Sequence, residues 1–300
     1  MNAVNGSGNE QFEQMFAAVR AARKEYAQRP TIGERFVVPR EGRKGVHTIL
    51  YRPASQAVPG RLPVMFNMHG GAWVGGDAVF MESFCQKLAD EIPALVVNVN
   101  YTKADEESIP YAVEEVADAV KFFLAHAEEY GIDPERVAVG GHSAGAQLAA
   151  GTALKLKDDG IRLACQMLVY PCTDLTVGLD SSEELRKLVD LFFPEGGHEH
   201  RYISPLRATD EELSGLCPAI FVISGIDILK QMGIDYAKRL IDLAVPVKIR
   251  EYPQALHGFL EVNRPDYPSG DERQTPEQAE FARDCERYLV QELRACFQEV

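Results

Sequence analysis

The sequence predicts an α/β fold built on a doubly wound, mostly parallel sheet, and three observations carry that prediction. Short, nearly continuous apolar runs recur ("LPVMFNMHGG", "ALVVNVNY", "RVAVGG", "LACQMLVYP", "PAIFVISG", "PVKIREYP"), as suits strands buried on both faces. Helix-like segments separate most of them. No linker or internal repeat divides the 300 residues, which a single domain of this class can accommodate.

In chain order, Phe12, Met15, Phe16 and Val19 recur at helical spacing near the start. "ERFVVPR" and "GVHTILYRP" then alternate like an antiparallel pair. Within the alternating part, "PYAVEEVADAVKFFLAHAEEY" carries Val113, Val116, Val120 and Phe123 on one side, with Pro110 near its start. "AGAQLAAGTALKLKDDG" is alanine-rich and stops at a glycine. Thr275, Pro276 and Gln278 open the last helix as a capping box would. Two stretches fall outside the alternation: the first 30 or so residues, and 173–213 between the strands ending at Tyr170 and beginning near Ala219. A long insertion at the C-terminal edge of a parallel sheet lies where ligands bind, so both are expected to form a helical cap.

Composition excludes some functions. The formal net charge of −14 opposes binding to phosphate backbones, so no nucleic-acid partner is expected. No window is apolar enough to span a bilayer, and no basic face suits a membrane surface. "MNAVNGSGNEQ" lacks the features of a secretion signal, which points to a cytoplasmic protein. The six cysteines are scattered without a C-x-x-C pair, so they read as reduced thiols, and no metal or other cofactor is expected.

The chemistry is carried by "VAVGGHSAGAQLAAG". A buried strand (Val137–Gly140) enters and a helix leaves from about Ala144, so Ser143 sits on a sharp turn between Gly141 and Gly145. A serine hydroxyl is a poor nucleophile at neutral pH unless a base is within reach and a carboxylate orients that base. On such a sheet these partners follow in chain order after later strands. "PAIFVISGID" delivers Asp227 and "VKIREYPQALHGF" delivers His257. Asp235 and Asp242 read as solvated helix positions, and His198 and His200 as loop residues. His47 on a strand and His126 on a helix read as structural. Acyl transfer also needs donors for an oxyanion. Gly70 and Gly71 of "MFNMHGGAW", with the amide of Ala144, are the candidates.

These motifs together resemble the hormone-sensitive-lipase-like branch of the α/β-hydrolases, the family IV carboxylesterases. "HGGAW" is similar to that family's oxyanion motif, and "NYTKADEESIPYAVEEVADAVKF" to its Y-R-L-A-P-E-x-x-x-P segment. "GIDPERVAVGGHSAGAQLA", "YISPLRA", "SGIDIL" and "HGF" follow in family order. The resemblance implies an α/β-hydrolase fold in one domain over 1–300, a triad of Ser143, Asp227 and His257, and an oxyanion hole of Gly70, Gly71 and Ala144. Three of the motifs depart from the pattern. His142 replaces the usual Asp or Thr, "YTKADE" lacks the arginine and proline, and Ile228 replaces proline after the acid.

The expected activity is a serine carboxylesterase acting on small esters, short-chain acyl or aryl, with a small molecule as its partner. Trp73, His142, Phe192 and Phe193 are the candidate substrate contacts. An arylformamidase-like amide hydrolase and a carbohydrate-ester (acetyl or feruloyl) esterase share the same machinery, while a non-catalytic receptor would be expected to lack a triad member. Many members of the family are dimers, so a homodimer is the assembly the resemblance suggests.

Overall fold

The fold is given by a computed structural model that describes residues 5–55, 60–177, 186, 189, 192–193 and 196–298. Eight strands form one sheet in the order β1-β2-β4-β3-β5-β6-β7-β8. They are β1 (Glu34–Val38), β2 (Val46–Tyr51), β3 (Leu62–Met68), β4 (Leu95–Asn100), β5 (Ile132–His142), β6 (Cys165–Val169), β7 (Ala219–Ile226) and β8 (Val247–Leu256). Strands β1 and β2 pair antiparallel at one edge, and β3 to β8 run parallel.

The central strands are apolar on both faces because helices cover both. On one face Val64, Phe66, Val97 and Val139 meet α3 (Ile109–Ala125), α4 (Ala144–Asp158) and α5 (Lys230–Asp242). On the other, Met65, Val96, Ala138 and Met167 meet α2 (Glu82–Glu91) and α7 (Pro276–Gln298). The short α6 (Phe259–Val262) precedes α7. Helix α7 begins as expected, with Thr275 Oγ1 accepting from the Gln278 N–H at 3.3 Å. The rest of the expected capping box does not form. Gln278 instead braces β8, accepting from Leu256 N at 3.0 Å and donating to Gln254 O at 2.9 Å.

The N-terminal helix α1 (Asn5–Tyr26) is tied to the body by ions. Arg23 grips Asp105 through Nη1–Oδ1 at 2.6 Å and Nη2–Oδ2 at 2.8 Å, and also donates to Val74 O. Asp105 occupies the proline position of the resembled segment, so this departure supplies an anchor for α1. Of the 173–213 insertion, residues 178–185, 187–188, 190–191 and 194–195 lie outside the described part. The remainder packs on α4: Arg201 pairs with Asp158, and Tyr202 O accepts from Gln147. No described helix is long and apolar enough to cross a membrane.

Candidate active site

Strand β5 delivers Ser143 to the C-terminal edge of the sheet with φ 54° and ψ −117°, an uncommon conformation for a residue with a side chain. Packing over-determines it. The Ser143 N–H donates to Val169 O at 2.9 Å. A Cβ on Gly141 would stand 2.4 Å from the Gly145 carbonyl, and one on Gly145 would stand 2.3 Å from Met68 O. The glycines flanking the serine are therefore required by backbone-to-backbone contact, which is what lifts the hydroxyl clear of the sheet.

Parallel pairing brings the two partners to it. Ile226 of β7 lies opposite Leu256 of β8, so the next residues on each strand, Asp227 and His257, emerge side by side. Ser143 Oγ is 2.8 Å from His257 Nε2, and His257 Nδ1 is 2.6 Å from Asp227 Oδ2. An ionised carboxylate only accepts, so Nδ1 carries the proton and Nε2 is free to accept from the serine. The Asp227 side chain is 1% exposed, and its other oxygen accepts from Leu229 N at 2.8 Å. The edge of the Tyr170 ring packs on the imidazole with centroids 5.0 Å apart.

The loop after β3 differs in part from expectation. The N–H of Gly70 donates to Glu261 Oε1 at 2.8 Å, so this expected oxyanion donor is already committed. The half-buried Glu261 on α6 reaches this amide from the wall of the smaller cavity. Among the described residues, no backbone acceptor takes the N–H of Gly71 or Ala72. Gly71 has φ 128°, and a Cβ there would meet Gly75 O at 2.3 Å. Ala72 and Trp73 also have positive φ, 49° and 63°, so the loop runs through three such residues in succession beside Ser143 in the cavity wall. The Ala144 N–H opens α4, where the first N–H groups of a helix lack partners and its dipole favours negative charge.

Two cavities meet at Ala72, Ser143, His257 and Arg273. One, of about 320 Å³, is walled by Tyr26, Phe80 and Tyr267 with the carboxylates of Asp77 and Glu261. The other, of about 800 Å³, is walled by Trp73, Ile226, Leu229 and Leu256. Trp73 lines this cavity with its Nε1 held by Gln147 Oε1 at 2.8 Å.

The other three expected substrate contacts do not line these cavities. His142 is fully buried on the opposite face of the sheet, because side chains alternate along β5. Its ring packs edge-on against Phe84, and burial pushes its pKa well below the usual histidine range, leaving it neutral. Phe192 and Phe193 are core residues, packed against Trp73 and His198. Among the described residues, no group of three or more His, Cys, Asp or Glu stands close enough to hold a metal ion.

Glu261, Arg273, Tyr26, Tyr267 and Ala72 are site residues that sequence reasoning missed. Ala72 follows directly in "HGGA", and Glu261 lies one helical turn beyond His257 in "HGFLE", so both had a signal of position. The other three had none.

A parallel sheet with a strand-to-helix serine, and a carboxylate and histidine following later strands, defines the α/β-hydrolase class, and the sequence comparison agrees. Residues 65–261 match a family described as alpha/beta hydrolase fold, and the chain belongs to it. It is 33% identical over 229 residues to the carboxylic ester hydrolase LipN of Mycobacterium tuberculosis, spanning 70% of this chain and 60% of LipN. It is 31% identical over 224 residues to an arylesterase of Saccharolobus solfataricus, spanning 70% and 72%. Among solved structures, a thermostable esterase from Pseudomonas putida superposes with TM-score 0.74 at 27% identity, over 95% of this chain and 88% of that one. An ester hydrolase from the Lake Arreo metagenome gives TM-score 0.76 at 27% identity, over 94% and 91%.

Proposed function

We propose that the protein is a serine carboxylesterase that works through an acyl-enzyme on small acyl or aryl esters. The observation that carries this reading is the unbroken relay from Ser143 Oγ through His257 to Asp227, opening on the two cavities. His257 Nε2 takes the proton as Ser143 Oγ bonds to the ester carbonyl carbon. Asp227 holds the imidazole in the accepting tautomer and stabilises its charged form. The N–H groups of Gly71, Ala72 and Ala144 receive the oxyanion. His257 then gives its proton to the leaving alcohol as the carbon–oxygen bond breaks. Water, deprotonated by His257, adds to the acyl-enzyme, and collapse of that adduct returns the proton to Ser143 and releases the acid.

The ester reading is supported by the relatives, whose names describe ester hydrolases and an arylesterase. The aromatic wall of the smaller cavity suits an aryl group, and its size favours small groups. A chain-length series of nitrophenyl esters on wild type and Ser143→Ala tests the proposal. Turnover that peaks at short acyl chains and vanishes in Ser143→Ala is expected, and equal turnover by the two proteins would overturn it. Paired aryl ester and aryl amide substrates decide which bond is preferred.

A further inference from the structure

The resembled Y-R-L-A-P-E segment carries a lysine here, Lys103, where an apolar leucine would stand, and that lysine is almost wholly buried. Its place is beneath the loop after β3. An ammonium has three N–H donors and no acceptor. Lys103 Nζ has three neighbours to receive them: Tyr101 O at 2.6 Å, Asn100 Oδ1 at 2.9 Å and His69 Nε2 at 3.2 Å. Asn100 is oriented for this, since its amide nitrogen donates to Asp77 Oδ2 at 2.9 Å.

The third contact decides the state of His69. Nε2 also lies 3.2 Å from Asn100 Oδ1, but Nδ1 is much closer to its carbonyl acceptor and an ammonium at Nε2 calls for a lone pair there, so the proton of neutral His69 is assigned to Nδ1. Burial and the lysine charge both keep the ring neutral. Nδ1 is 2.6 Å from Gly70 O and donates to it. The ring is held flat against Tyr101, with centroids 4.5 Å apart and planes 17° apart. The Gly70 carbonyl and the Gly71 N–H belong to one planar trans peptide, in which C=O and N–H point in opposite directions. Fixing the carbonyl from below therefore aims the Gly71 N–H from above.

We propose that Lys103 is a positioning residue for the oxyanion-binding peptide, acting through the tautomer of His69 on the Gly70–Gly71 plane. This rests on the reading that the Gly71 N–H receives the oxyanion. A buried lysine serving only to fill space would not need three aligned acceptors, nor a neutral histidine as one of them.

The test compares wild type with Lys103→Met, which keeps the apolar stem and removes the donors. For nitrophenyl acetate below pH 7, where Lys103 carries its charge, kcat is expected to fall about 10-fold with KM changed less than about twofold, a smaller loss than removing a donor outright. Affinity for an aryl trifluoromethyl ketone, whose serine adduct carries the oxyanion, should fall by the same factor. Wild-type kcat and ketone affinity in a folded Lys103→Met protein would overturn the proposal. A second measurement needs no change at Lys103: nitrogen-15 histidine spectra, with His69 assigned by its absence in His69→Gln, should find the proton on Nδ1. A proton on Nε2 would overturn it. Full activity in Ser143→Ala would sink the esterase mechanism instead, so the two failures are distinguishable.

Discussion

Glu261 Oε1 accepts the Gly70 N–H at 2.8 Å, joining the loop after β3 to the turn that bears His257. The same carboxylate accepts from the Tyr170 hydroxyl at 3.2 Å, and Tyr170 packs on His257. One side chain thus sets the distance between the proposed oxyanion donors and the base. Glu261→Ala should lower kcat about 10-fold, within the range for disturbed oxyanion stabilisation. Glu261→Gln keeps an acceptor for Gly70 and should stay within about threefold of wild type by the same argument. Steady-state kinetics on one aryl ester checks both, and an unaffected Glu261→Ala would mean that the loop holds its shape without the carboxylate.

Asp227 accepts from both His257 Nδ1 and Leu229 N, so an amide in its place would offer the imidazole a donor where it needs an acceptor. Asp227→Asn should lower kcat about 10⁴-fold through the wrong tautomer. Near-normal turnover would point to another acid.

Lys103 links stability to pH. Burial lowers its pKa to about 7, with Arg23 adding to the effect and Asp77, Glu115 and Glu106 opposing it. Unfolded, the lysine has its ordinary value of 10.5. Between these values the unfolded chain binds more protons, so wild-type stability gains from this group as pH rises from 7 toward 10.5, with a slope approaching about 1.4 kcal/mol per pH unit. Lys103→Met lacks that contribution. The stability of wild type minus that of the variant, measured by urea denaturation, should therefore grow with pH across this window, and a flat difference would refute the burial cost.

Gly145 has no room for a methyl group, since a Cβ would lie 2.3 Å from Met68 O and 2.5 Å from His69 O. Gly145→Ala should cost about 1–3 kcal/mol by overpacking. It should also lower kcat, because relief would come from moving Ser143 or the oxyanion loop. Thermal denaturation with parallel kinetics checks this, and an unchanged melting temperature would count against the close packing.

How much of this was legible beforehand follows from the physics of each residue. Ser143, Asp227 and His257 could be found because each follows an apolar run, and parallel strands deliver their next residues to one edge. The backbone course of the loop after β3 could not be read. That depends on positive φ at Ala72 and Trp73, and neither alanine nor tryptophan signals such a conformation. His142 sits beside the serine in sequence yet behind the sheet in space, a consequence of strand alternation at the elbow. Lys103 was invisible as a buried group because a lone lysine ordinarily marks solvent. Phe192 and Phe193 were rightly read as apolar, but apolarity does not distinguish a pocket wall from a core.

The histidine follows β8, which lies at the edge of the sheet and, among the described residues, pairs with β7 alone. Every side chain on a strand changes face when its pairing slips by one residue. On the proposed mechanism, turnover in this molecule is a gauge of strand alignment: a chain that folded well elsewhere but docked β8 one residue out of place would keep its serine and lose its proposed base. The bracing of Leu256 and Gln254 by Gln278 then acts as a proofreading clamp, holding the last strand to the alignment that brings Asp227 and His257 together.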